Sequence, residues 1–87
     1  MTYVYFLLLT DNKIYTGLTD DLRRRFYEHQ NGKVESTKNK RPVILVGYEA
    51  YQNKSDAVRR EKFLKTTEGK RLFRQQYRDI LKEIHYL

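Results

Sequence analysis

Eighty-seven residues carry a net charge of +7, with eight tyrosines, four phenylalanines and no cysteine or tryptophan. A chain this short builds one small core. The lack of cysteine excludes a disulfide scaffold, a thiolate zinc site and a thiol nucleophile. The apolar run from Tyr3 to Leu9 is far below the roughly 20 residues that span a bilayer. With no basic n-region before it, it is not a signal peptide either. A reducing cytoplasm is therefore expected, with no membrane partner. The basic excess is uneven. Residues 1–51 hold eight basic and six acidic side chains, a net of +2, and residues 52–87 hold ten and five, a net of +5. That balance points to a polyanion or, in the bland case, to a solvated basic surface.

In chain order, Thr2 to Leu9 is rich in β-formers and predicts a central strand. Asp11-Asn12-Lys13 signals a turn, because Asn and Asp tolerate left-handed backbone. Ile14 to Gly17 then returns as a second, antiparallel strand. Thr19 or Asp20 is placed to cap a helix reaching about Gln30, with Asp20 and Asp21 at its positive end. Asn31-Gly32 stops it, and Leu22, Phe26 and Tyr27 form its apolar stripe. Lys33 to Arg41 is polar and basic, the composition of a mobile loop. Pro42 opens a third strand, Val43 to Ala50. Ser55 is the expected cap of a second helix, about Asp56 to Thr66, interrupted at Thr67-Glu68-Gly69. A third helix, about Lys70 to Ile84, follows from the 3–4 spacing of Leu72/Phe73, Gln76/Tyr77, Ile80/Leu81 and Ile84. The order β-β-α-β-α-α predicts an α/β fold in one domain over residues 1–87, a three-stranded antiparallel sheet flanked by helices.

Several residues fit chemistry as well as structure. Tyr5 and Tyr15 fall opposite or one diagonal apart on one face of the hairpin, an arrangement that also serves ordinary sheet packing. Arg25 and His29 are spaced i,i+4 on the first helix, beside Leu22 and Phe26. Arginine offers a planar fork of donors to a phosphate, and histidine exchanges a proton near neutral pH. Glu61 places a carboxylate within the apolar stripe of the second helix, where it needs a basic partner or a cation. One carboxylate plus waters suits magnesium, which dehydrates reluctantly. The stretch from Thr37 to Arg41 offers basic side chains to phosphates, or simply a solvated loop.

Together these residues resemble the GIY-YIG nuclease superfamily, in its small stand-alone bacterial branch. The two strand motifs correspond to Tyr3-Val4-Tyr5 and Tyr15-Thr16-Gly17, with Tyr3 where the first motif has glycine. Residues 17–29 are similar to the first-helix signature. Thr37, Arg41-Pro42-Val43, Leu45-Val46, Glu49, Ala57 and residues 60–65 are similar to the remainder, so the motif-bearing part covers about residues 2–70.

The resemblance implies a metal-dependent endonuclease that hydrolyses DNA phosphodiesters, structure-selective or weakly specific, with DNA favoured over RNA. It implies Tyr5 and Tyr15 as the motif tyrosines, one of them the general base, and Arg25 holding the scissile phosphate. His29 would position water or share the proton, Glu61 would hold one magnesium or manganese ion, and Gly17 would close the second motif. Arg23, Arg24, Lys38, Lys40, Arg41, Lys62 and Lys65 would hold the flanking backbone without reading bases. Many members carry an asparagine beyond the glutamate, and here every asparagine precedes Glu61. The alternatives are a nucleic-acid-binding module without turnover, or a domain that docks a protein partner on its C-terminal helix.

Overall fold

The computed structural model describes residues 1–84; the last three residues of the expected 1–87 domain lie outside the described residues. Strands β1 (Thr2–Leu8) and β2 (Ile14–Thr19) form the hairpin. Asn12 holds the turn at φ 65°, in the left-handed region that asparagine tolerates. Helix α1 (Leu22–Gln30) follows, and strand β3 (Ile44–Tyr51) returns beside β1. The sheet is antiparallel in the order β2-β1-β3, so β1 is central and β2 has a free edge. That is why the apolar run lies in β1, where Val4 to Leu8 are all buried.

Alternation along β1 splits the interior in two. Val4, Phe6 and Leu8 pack with Val46, Ala57, Leu64, Phe73 and Leu81 under the C-terminal helices. Tyr5, Leu7 and Leu9 face the other way, toward Val43, Tyr15, Leu22 and Phe26. Between Phe6 and Leu7 the register against β3 slips from Gly47 to Leu45, leaving Val46 as the extra residue of a bulge.

Helix starts differ from expectation by local hydrogen bonding. Asp21 caps α1 through the amide of Arg24 at 3.0 Å, because the Thr19 hydroxyl is engaged with the backbone of Asp21. Asn53, not Ser55, caps helix α2 (Lys54–Leu64), its Oδ1 accepting from both the amide and the hydroxyl of Ser55. The interruption expected at Thr67-Glu68-Gly69 falls at Lys65-Thr66 instead. Thr66 caps helix α3 (Thr67–Gln76), its Oγ1 accepting from the Gly69 amide at 3.0 Å. Gly69 sits where a Cβ would overlap the Phe63 carbonyl, so α2 and α3 close against each other there.

The helix expected over about 70–84 divides at Tyr77, and helix α4 (Arg78–Glu83) begins after it. Tyr77 packs its ring on Phe6 and Phe73 and donates its hydroxyl to Glu49 on β3 at 3.1 Å. The segment expected as a mobile loop is anchored by buried Val34 and Thr37, with a 3-10 turn at Lys38–Lys40 and a cis Arg41-Pro42 bond.

Candidate active site

The site begins with a missing side chain. Tyr5 on β1 lies directly opposite Gly17 on β2. A Cβ at Gly17 would overlap the Tyr5 ring and its Oη, so glycine there opens the space the phenol fills. Leu7 lies opposite Tyr15, which places the two tyrosines one diagonal apart, with ring centroids 6.2 Å apart. Helix α1 crosses this face and delivers Arg25 and His29, one turn apart.

Tyr5 Oη and His29 Nε2 are 2.8 Å apart, and His29 Nδ1 and Thr37 Oγ1 are 2.7 Å apart. All three side chains are sealed: Tyr5 is 1% exposed, His29 and Thr37 0%. The Arg25 guanidinium lies near enough to the same phenol to act on its charge state and donates to Glu28 Oε1 at 3.1 Å. Tyr15 packs edge-on against His29 at 5.1 Å and is only half-buried. The four residues expected to act together, Tyr5, Tyr15, Arg25 and His29, thus form one cluster.

Burial sets the charge states. It pushes the Tyr5 phenol up to about 12, outweighing the opposing influence of Arg25, so Tyr5 is a neutral phenol at rest. Burial, and then the Arg25 charge, hold His29 below the ordinary histidine value, so its ring is neutral near pH 7. Arg25 is held above the usual arginine value by Tyr5 and, after an opposing effect of burial, by Glu28.

Glu61 lies on α2, which packs across the other face of the sheet and reaches β2. Its side chain is 19% exposed, and Oε2 accepts from Lys65 Nζ at 3.2 Å. Among the described residues, no three His, Asp or Glu side chains gather as a metal cluster. A hydrated magnesium ion asks for less, one or two carboxylates and water. Glu61 meets that donor requirement. Its i,i+4 pair with an exposed lysine is worth only about 0.3–0.5 kcal/mol, little against a divalent charge.

The expected phosphate-holding residues have varied surroundings. Arg24 pairs with Asp20 and Glu28, Lys38 with Glu35, and Lys40 with Asp11. Arg41 is turned onto backbone carbonyls of Lys38 and Gln30 and covers Gly32. Arg23 borders a hollow beside Tyr3 and Tyr48, and Lys62 lies on an open face of α2. Sequence reasoning missed two members of the cluster. Thr37 enters the family resemblance without a role, because it sits among polar loop residues with no sign of burial; the physical signal was that a buried His29 needs a second partner. Glu28, the counter-charge to Arg25, was legible as an i,i+3 neighbour.

The sequence matches the GIY-YIG catalytic domain over residues 1–77. The chain therefore belongs to the GIY-YIG family, a family of nucleases, and carries its three-stranded antiparallel sheet with flanking helices. Among curated proteins it is similar to UPF0213 proteins. One from Staphylococcus haemolyticus is 45% identical over 65 residues, covering 74% of this chain and 79% of the relative. One from Cupriavidus pinatubonensis is 42% identical over 60 residues, 68% and 67% of the two chains, and one from Clostridium perfringens is 41% identical over 66 residues, 75% and 71%. No solved structure matches the chain. Among the described residues no helix is long and apolar enough to cross a membrane.

Proposed function

We propose that this protein is an endonuclease that hydrolyses DNA phosphodiester bonds with one divalent cation, magnesium or manganese. The observation that carries this reading is the meeting of the Tyr15 phenol and the Arg25 guanidinium beside Tyr5, over the space left by Gly17. It pairs a proton acceptor with an anion receptor on an open face.

Of the two motif tyrosines, Tyr5 is sealed and neutral, with its phenol held by His29 beside Arg25. Tyr15 faces the outside, and in its deprotonated form its phenol oxygen takes a proton from the attacking water. The water oxygen bonds to phosphorus, the bond to one strand breaks, and its electron pair leaves on the departing oxygen, which is then protonated. Arg25 offers its fork of donors to the phosphate oxygens as charge builds there. Both nitrogens of His29 are committed to Tyr5 and Thr37, so His29 acts by fixing Tyr5, and Tyr5 by fixing Arg25. A magnesium or manganese ion held by Glu61 would supply positive charge to the leaving oxygen.

The other reading, a nucleic-acid-binding module without turnover, is favoured by the Lys65 contact on Glu61 and by the lack of an asparagine after it. Cleavage of end-labelled flapped and branched DNA, with an RNA arm, decides between them. Wild-type protein cuts with magnesium or manganese, and Arg25→Ala and Glu61→Ala each cut about 10²–10³-fold more slowly while still binding. Equal cutting by both variants overturns the residue roles. Salt-dependent binding with no cutting under either metal selects the binding module.

A further inference from the structure

We infer that the groove between the free edge of β2 and the α2–α3 junction seats one sugar–phosphate strand, with Lys13, Lys70 and Arg74 engaging its phosphates. This rests on the proposed action on nucleic acid and names the surface that would hold it. The groove encloses about 570 Å³, and its cations are Lys13, Lys65, Lys70 and Arg74, with no acidic residue in the wall. Three elements converge to place them: the β1–β2 turn, the end of α2 and the middle of α3, from Lys70 to Arg74. Among the described residues only Lys65 is committed to an ion pair; Lys13, whose charge is felt by Asp11, and Lys70 and Arg74 form no salt bridge there. Half of the chain's 18 basic side chains form no salt bridge among the described residues, so the signal is their concentration: four cations with no acid around one apolar floor, Phe73, mark a seat for an external anion.

The position of this groove decides which anion. Tyr15 and Thr16 are part of its wall, so it shares Tyr15 with the candidate site at the edge of β2. At the other end of the same strand a second hollow is lined by Arg24, Arg25 and Lys54 beside Leu18 and Thr19, with Asp20, the partner of Arg24, as its one acid. Cations therefore flank the free edge of β2 at both ends, with the Tyr5–Gly17 contact between them. A single small anion would occupy one hollow, whereas a chain of phosphates passing Tyr15 would use both. The α3 cations hold a fixed direction because the Thr66 cap and the Gly69 contact lock the start of that helix onto α2.

The test is equilibrium binding of fluorescent single-stranded and duplex oligonucleotides to the full chain between 50 and 300 mM salt. The variants are Lys70→Gln/Arg74→Gln and Lys70→Glu/Arg74→Glu, with Lys33→Gln as a remote control and thermal unfolding as the check of folding. Each phosphate contact contributes about 0.7 to the slope of log K against log salt for a single strand and about 0.9 for a duplex. The neutral double variant is expected to lose about 1.4 from the single-strand slope, the charge-reversed one to bind more weakly still, and Lys33→Gln to match wild type. Wild-type affinity and slope in both folded variants overturn the strand path while leaving the nuclease reading standing. Wild-type protein that binds no oligonucleotide overturns both. Capture of a polyglutamate peptide with no oligonucleotide binding makes the groove an acidic-peptide site and also overturns the inference.

Discussion

Thr37→Val takes one hydroxyl from a place where it has one partner. Thr37 Oγ1 and His29 Nδ1 are 2.7 Å apart, and both side chains are fully buried. Valine has nearly the shape of threonine, so no cavity opens and the loss is that of the hydrogen bond. An imidazole nitrogen left buried without a partner costs about 1–3 kcal/mol. A domain this small has a urea slope near the low end, about 1 kcal/mol per M, so the unfolding midpoint falls by about 1–3 M. Thr37→Ser keeps the hydroxyl and loses a methyl, a cost of about 0.8 kcal/mol.

The same contact sets the tautomer of His29. The Thr37 hydroxyl has no other acceptor among the described residues, so it donates to Nδ1, and Nε2–H then donates to the Tyr5 oxygen. Nitrogen-15 spectra of His29 read this directly. A Thr37→Val stability within about 0.5 kcal/mol of wild type, together with spectra placing the proton on Nδ1, would refute the reasoning.

Other perturbations test other parts. Gly17→Ala drives a methyl into the Tyr5 ring; overpacking of about 1–3 kcal/mol and displacement of Tyr5 from His29 follow, seen as a lower unfolding temperature and lost cleavage. Because the folded state keeps His29 neutral, the unfolded chain binds the extra proton as pH falls below about 6.5, so stability declines toward pH 5 by up to about 1.4 kcal/mol per unit until the folded value is reached. Urea titrations at pH 7.5 and pH 5 measure that decline, and it should be smaller in His29→Gln. Glu49 accepts from Arg60, Tyr51 and Tyr77, and these bonds hold its carboxyl below the usual range despite burial. Glu49→Gln is expected to lower stability by about 1–3 kcal/mol, and a change under 0.5 kcal/mol in thermal or urea unfolding would contradict it.

The hairpin and the sheet were legible because a short apolar run rich in β-formers reads as a buried strand, and the turn signal at Asn12 fixes its return. From that register the diagonal of Tyr5 and Tyr15 follows, and the i,i+4 spacing of Arg25 and His29 supplies the rest of the cluster. The helix caps were less legible because neighbouring residues compete for the same amides: Thr19 against Asp21, Ser55 against Asn53. The division at Tyr77 left no mark, since the apolar stripe continues through it and the phenol's partner, Glu49, is 28 residues away. The burial of Thr37 was hidden for the same reason: a tertiary contact, not local pattern, puts it inside.

The central claim is that Glu61, on one side of the sheet, and Tyr15, on the other, serve one site at the free edge of β2. Titration of the protein with manganese, followed by paramagnetic broadening of assigned NMR signals, tests it most directly. Broadening that begins at Glu61 and extends to Tyr15 and Gly17, and is absent in Glu61→Ala, is the predicted result. Broadening centred on Asp20 and Asp21, or a Glu61 signal untouched while Lys65 remains bound to it, would contradict the account.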